Sequence, residues 1–269
     1  MLKEKFVLFK NAKISYFDEG VKKSKNIVLL HGFLENKNIW LSTVEVLKPK
    51  YRVIAIDLPG FGNSECLGYV HSMELMAQCV KSVLDQINVK KYLMVGHSMG
   101  GYVSLAFGEK HADALKGLCL IHSTCTADSE QKKIDRNRAI ELVKLNKQIF
   151  INQLIHGLFE EKNKILYKKE IQKIVKEASA LSVQGINAAI EGMRDRLDRE
   201  IVIRFAPFPV YFLAGENDPV FDMNLIRMQT EIPRNKIAVF IPNCGHMAFI
   251  EQKAKYIESL KLFVQDAFK

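Results

Sequence analysis

A series of apolar runs, each stopped by a short turn of glycine, histidine or aspartate, sets the terms for this chain. Asn26-Ile27-Val28-Leu29-Leu30 ends in His31-Gly32, Tyr51–Ile56 ends in Asp57-Leu58-Pro59-Gly60, and Tyr92-Leu93-Met94-Val95 ends in Gly96-His97-Ser98. A strand without a polar face has to be covered on both sides, which is the condition of a parallel sheet. Segments with helical spacing lie between and after these runs, at Trp40–Leu47, at about Met73–Ile87 and at Tyr102–Lys110, before a further strand at Gly117–Ile121. Two shorter strands, Phe6–Phe9 and Lys13–Phe17, read as an antiparallel hairpin ahead of them. The alternation predicts an α/β fold: a mostly parallel, doubly wound sheet with helices on both faces and ligands at the carboxyl ends of its strands.

After Ile121 the rhythm breaks. From about Thr124 to Arg204 only helical patterns occur, such as Ile171, Ile174, Val175, Ala178 and Leu181, or Ile186, Ala189, Ile190 and Met193. Strand logic resumes at Pro209–Ala214 and Ile237–Ile241, and an amphipathic helix closes the chain at about Ala254–Phe268. The expected organisation is a core of residues 1–123 and 206–269, with residues 124–205 inserted as a helical lid over the strand ends.

Residues 96–100, Gly-His-Ser-Met-Gly, form a Gly-x-Ser-x-Gly pentapeptide directly after an apolar strand and before a helix. A sharp strand-to-helix turn needs glycines because neighbouring backbone comes close, and it lifts the serine hydroxyl to the end of the sheet. A free serine hydroxyl is a poor nucleophile near neutral pH and needs an oriented base. Downstream, strand 210–214 runs into Gly215-Glu216-Asn217-Asp218-Pro219, and strand 237–241 is followed by Asn243-Cys244-Gly245-His246-Met247. The order is Ser98, Asp218, His246, with Glu216 and Asp222 as rival carboxylates.

With His31-Gly32-Phe33, Asp57–Ser64, Gly96–Gly101, Gly215–Asp218 and Gly245-His246 all in order at strand ends, the whole chain resembles the α/β-hydrolase fold family, in its lidded esterase/lipase and C–C hydrolase group. The resemblance implies Ser98 as nucleophile, His246 as general base and then acid, and Asp218 as the carboxylate that orients it. It implies an oxyanion hole from the backbone N–H groups of Phe33 and Met99, and chemistry that requires neither a metal nor an organic cofactor. The implied activity is hydrolysis of a small carboxylic ester through an acyl-enzyme. C–C bond hydrolysis, a menaquinone-pathway type of lyase reaction, acyl transfer or perhydrolysis, and small-molecule reception use the same constellation. His97 is expected to point away from the site, His31 to brace its loop and Asp57 to brace the Gly60–Ser64 turn. His71, His111, His122 and His156 carry no partner pattern, and Trp40 is expected to pack rather than bind. Met193, Arg194 and Arg196 are the candidate specificity residues of the lid, with the two arginines expected in solvent.

The formal charge of +9 is spread along the chain without runs of like charge, which argues for a solvated basic surface and against a nucleic-acid partner. The N-terminal segment is too short and charged for a signal-peptide core, and no apolar stretch reaches membrane-spanning length, so a cytoplasmic protein without membrane insertion is expected. Five widely spaced cysteines without a C-x-x-C pair read as reduced thiols. The expected partner is a small-molecule ester or related acyl substrate, and no feature speaks to oligomeric state.

Overall fold

The computed structural model describes residues 2–269. Its strands are β1 (Lys5–Phe9), β2 (Ala12–Gly20), β3 (Asn26–Leu30), β4 (Arg52–Ile56), β5 (Tyr92–His97), β6 (Leu115–Ile121), β7 (Val210–Gly215) and β8 (Lys236–Ile241). The α-helices are α1 (Leu41–Leu47), α2 (Met73–Gln86), α3 (Met99–His111), α4 (Glu130–Gly157), α5 (Asn163–Leu166), α6 (Lys168–Ser179), α7 (Val183–Arg194), α8 (Glu200–Arg204), α9 (Met223–Thr230), α10 (Ala248–Glu251) and α11 (Lys253–Ala267). One eight-stranded sheet has the order β1-β2-β4-β3-β5-β6-β7-β8. The first two strands form the expected hairpin, with Val7 opposite Ile14. Lys10 and Asn11 both take positive φ at its tip, as a tight two-residue turn requires. Strand β2 is antiparallel to β4, and every pairing from β4 to β8 is parallel.

The apolar runs lie where two-sided burial demands. Ile27–Leu30 of β3 and Val53–Ile56 of β4 have no exposed surface. Edge strand β1 alternates instead, leaving Phe6 and Leu8 about half exposed. Four cysteines are buried and Cys66 is partly exposed.

An ion pair fastens the antiparallel corner. The Arg52 guanidinium on β4 grips Asp18 on β2 through Nε at 2.8 Å and a terminal nitrogen at 3.1 Å, and Lys22 adds a second cation. Burial would raise the Asp18 carboxyl, but Arg52 and Lys22 hold it down at about 2 against an ordinary 3.8. A depressed folded-state value stabilises the fold above the unfolded value and loses that contribution as pH falls through the folded one. Asp18→Asn should therefore cost on the order of 1–2 kcal/mol near neutrality. The gap to the parent should close between pH 3.8 and about 2. Urea melts across that range check this, and a gap that persists at the acid end would refute the linkage.

Between β6 and β7 the chain carries α4 to α8 and no strand. Helix α4 bends at Asn146, whose backbone leaves the helix while its side chain accepts the Ile149 N–H at 3.0 Å and restarts the next turn. This helical segment is stitched to the sheet layer. The His71 N–H donates to Ala188 O at 2.9 Å, and Gly192 lies so close to His71 that an added Cβ would sit 1.8 Å from its carbonyl oxygen. Buried Arg199 pairs with Glu74 of α2 and, at 3.2 Å, with Glu109 of α3. None of the described helices is long and apolar enough to cross a membrane.

Candidate active site

The loops after β3, β5, β6, β7 and β8 bring His31–Glu35, Ser98, His122, Asp218 and His246 to the same end of the sheet. Ser98 joins β5 to α3 at φ +50° and ψ −116°, a strained geometry for a residue with a side chain. The glycines around it are sterically required. A Cβ on Gly96 would lie 2.3 Å from Gly100 O, and one on Gly100 would lie 2.3 Å from Leu30 O. The neighbouring strand holds the turn, with Ser98 N–H donating to Ile121 O at 2.9 Å and Ser123 Oγ donating to Ser98 O at 2.9 Å.

Ser98 and His246 line one cavity of about 230 Å³. The His246 Nδ1–H donates to Asp218 Oδ2 at 2.8 Å. A second imidazole does the same from behind, since His122 Nδ1 lies 2.8 Å from the same oxygen. Asp218 Oδ1 accepts the Val220 N–H at 2.8 Å. Burial favours the neutral acid, but the two imidazoles hold Asp218 far below the usual carboxylate range. Burial pushes His122 down to about 4 despite its contact with Asp218, so near neutral pH it is an uncharged donor. Its Nε2 is buried without a partner among the described residues.

The rival carboxylates are engaged elsewhere. Glu216 pairs with Arg227 at 3.1 Å, and Asp222 caps α9 by accepting the Asn224 N–H at 2.9 Å. Asp57 does brace its turn, accepting from Asn63 N–H at 3.0 Å, and it also binds the buried Lys37 ammonium at 2.7 Å. His31 accepts the Leu58 N–H at 2.9 Å, a brace between the loops after β3 and β4. Trp40 is fully buried against Phe249 and does not reach the cavity. Among the described residues, neither the Phe33 nor the Met99 backbone N–H finds an acceptor.

His97 does not turn away from the site. Its Nε2–H donates to His246 O at 3.0 Å, and its Nδ1–H reaches Glu35 Oε2 at 2.9 Å. The same Glu35 oxygen accepts the Gly32 N–H at 2.6 Å. Burial opposes the charge on both partners, yet each holds the other ionised: Glu35 lies below its ordinary value and His97 above. The His246 peptide is thus held on both sides, because its own N–H donates to Leu158 O at 2.8 Å. Arg196 is likewise not in solvent. It is buried against Asp128 at 2.5 Å, with its guanidinium 4.1 Å from the Tyr102 ring centroid. Arg194 is partly exposed and pairs with Asp195, while Met193 lines the cavity.

His122, expected to have no partner, is thus bound to Asp218, and Glu35, Lys132 and Arg136 join the site without having been singled out in the sequence. Lys132 and Arg136 line the cavity from α4 with the i, i+4 spacing of a shared helix face, the one signal that could have marked them. His122, Asp218 and His246 also bring three donor atoms within 4.8 Å of one another, a spacing a metal could bridge. The 2.8 Å contacts are hydrogen-bond lengths, however, and Asp218 Oδ2 already accepts two imidazole protons. Larger clefts of about 420 and 390 Å³ open on the surface beside α6, and neither reaches Ser98, Asp218 or His246.

A family model described as the alpha/beta hydrolase fold matches residues 25–151. An esterase from Thermogutta terrifontis, solved with malate bound, superposes with a TM-score of 0.92 at 26% identity, covering 99% of this chain and 100% of that one. The enol-lactonase of Burkholderia xenovorans shares the fold at a TM-score of 0.90 and 17% identity, over 97% of this chain and 100% of that one. In sequence, the pimeloyl-[acyl-carrier protein] methyl ester esterase of Pseudoalteromonas atlantica is 26% identical over 87% of this chain and 92% of its own. With its mostly parallel sheet and the serine turn after β5, the chain belongs to the α/β-hydrolase fold family.

Proposed function

We propose that the chain is a serine hydrolase that cleaves small carboxylic esters through an acyl-enzyme on Ser98. The observation that carries this reading is a serine on a strained turn sharing its cavity with His246, whose ring is tied to a buried carboxylate. With Nδ1–H donated to Asp218, His246 presents Nε2 as the base. It takes the Ser98 proton as Oγ attacks the ester carbonyl, and returns it to the departing alcohol. It then deprotonates the water that releases the acid and regenerates Ser98. The free N–H groups of Phe33 and Met99 would stabilise the oxyanion, at about 3–4 kcal/mol each. The esterases named above favour ester substrates within the family.

In this reading the helical segment 124–205 is the lid. Lys132, Arg136, Leu154, Leu158 and Met193 wall the cavity from it, and the Leu158 carbonyl holds the His246 peptide, so the lid also helps to set the base.

The test is a series of p-nitrophenyl esters of increasing acyl length, run beside labelling by a fluorophosphonate. Rapid turnover that declines beyond short chains is expected, since the cavity is small. Labelling of Ser98 without ester turnover would overturn the esterase reading in favour of C–C cleavage, a non-water acceptor or ligand reception. No labelling at all would remove Ser98 as nucleophile.

A further inference from the structure

Three charged side chains line the cavity: Glu35, Lys132 and Arg136. The Glu35 charge is paired with His97 through Oε2, which also accepts the Gly32 N–H, while its Oε1 is buried without a partner among the described residues. The two cations are not balanced in this way. Nearby Asp128 spends one oxygen on Arg136 Nε at 3.0 Å and the other on Arg196 at 2.5 Å, a single negative charge against two guanidinium groups. Lys132 has no carboxylate within ion-pair distance among the described residues, and its ammonium donates only to Val220 O, at 3.3 Å. The terminal nitrogens of Arg136 have no acceptor among the described residues. Both cations are half-buried, and an uncompensated charge in such a place is costly unless something completes it.

The surroundings say what would complete it. The remaining lining is largely apolar, with Phe33, Leu154, Leu158, Met193 and Val220. A second cavity of about 210 Å³ shares Phe33, Lys132, Arg136 and Leu154 with the first, so the two cations stand where the cavities adjoin. Burial and then the charge of Arg136 lower the Lys132 ammonium below the ordinary lysine value, a tension an anion would relieve. A planar guanidinium fork with two free nitrogens beside a point-like ammonium suits a carboxylate.

We propose that Lys132 and Arg136 form an anion subsite of this pocket, so that the substrate is an ester that also carries an ionised carboxylate, of the size of a hemiester of a short dicarboxylic acid. The cavity beside Ser98 has room for about eight water-sized groups, which keeps that acid short. The inference rests on the serine-hydrolase reading for its chemistry, and not for the binding of the anion.

Two measurements separate them. The first compares kcat/KM for monomethyl glutarate and methyl pentanoate. The parent should prefer the hemiester by about tenfold or more, the worth of one or two charge-assisted contacts. Lys132→Met should bring that ratio close to one, with the loss falling on KM, and Lys132→Arg should restore most of it. The second is calorimetric binding of glutarate and of inorganic phosphate to Ser98→Ala, which needs no turnover. Glutarate binding that Lys132→Met abolishes supports the subsite even if neither ester is cleaved, in which case the hydrolase reading falls alone. Ester turnover without charge preference, or Ser98→Ala that ignores glutarate, overturns the subsite and leaves the hydrolase standing. Tighter binding of phosphate than glutarate overturns the choice of carboxylate. Should Lys132→Met fail to fold, rising salt must raise KM for the hemiester and not for methyl pentanoate in the parent, and equal responses reject the proposal.

Discussion

Ser98→Ala should lower ester turnover by at least about 10⁴-fold and leave the melting temperature nearly unchanged. The activity loss follows from the chemistry, because Ser98 is the only serine or threonine among the residues that line the cavity with His246, and it stands on the strained turn at the end of β5. The stability expectation follows from what the Ser98 side chain does not do. It stands at the N-cap of α3 and yet makes no capping hydrogen bond, so its removal orphans no backbone N–H that it now satisfies. The turn is held instead by the Ser98 backbone and by Ser123, and alanine keeps both contacts. Alanine is also about as strained as serine at φ +50°, so neither state gains from the exchange. Initial rates on a short p-nitrophenyl ester and a thermal melt of the same preparation check both halves. Undiminished rates in the clean variant would end the acyl-enzyme mechanism, whereas a collapsed melt would mean that the hydroxyl carries the turn.

The parts of this architecture that could be read from the sequence are those whose signal lies within one segment. Strands β3 and β4 announce themselves because two-sided burial leaves no room for polar residues; Ser98 and Asp218 stand just beyond strands of that kind, and His246 follows the apolar run of the half-buried edge strand β8. The eight residues of α9 and the four of α10 hold too little periodicity to register. Pairing across the fold leaves no local trace at all. His97 and Glu35 are 62 residues apart, and His122 and Asp218 are 96 apart. Arg196 reads as a solvated charge at the end of a helix, until Asp128, 68 residues away, and the Tyr102 ring enclose it. Lys132 and Arg136 sit in a stretch so rich in charge, Gln131–Arg138, that the cavity-facing pair is indistinguishable from its solvated neighbours.

Asp218→Asn is expected to reduce turnover by about 10⁴-fold, because an amide cannot replace this carboxylate in either orientation. The three contacts to Asp218 all come from donors: the Nδ1–H groups of His246 and His122 on one oxygen and the Val220 N–H on the other. If the asparagine oxygen takes the place of the shared oxygen, its NH2 group faces the Val220 N–H at 2.8 Å, donor against donor. If the amide turns over, its NH2 faces the two imidazoles, which must then accept at Nδ1 and carry their protons on Nε2. His246 would present an N–H to Ser98 and could not receive its proton. His122 has an empty Nε2 and an uncharged ring near neutral pH, so the tautomer shift is open to it as well and nothing resists the change. The loss should therefore fall on kcat rather than KM and should partly recover at alkaline pH, where Ser98 needs less help to ionise. Replacing His122 with leucine, which has no donor, tests the companion role. It removes one donor and keeps the carboxylate, so it should raise the Asp218 carboxyl from its depressed value and steepen the acid limb of the kcat/KM profile, with a far smaller loss near neutrality. A His122 variant as impaired as Asp218→Asn would mean that the second imidazole, and not the carboxylate, sets the His246 tautomer.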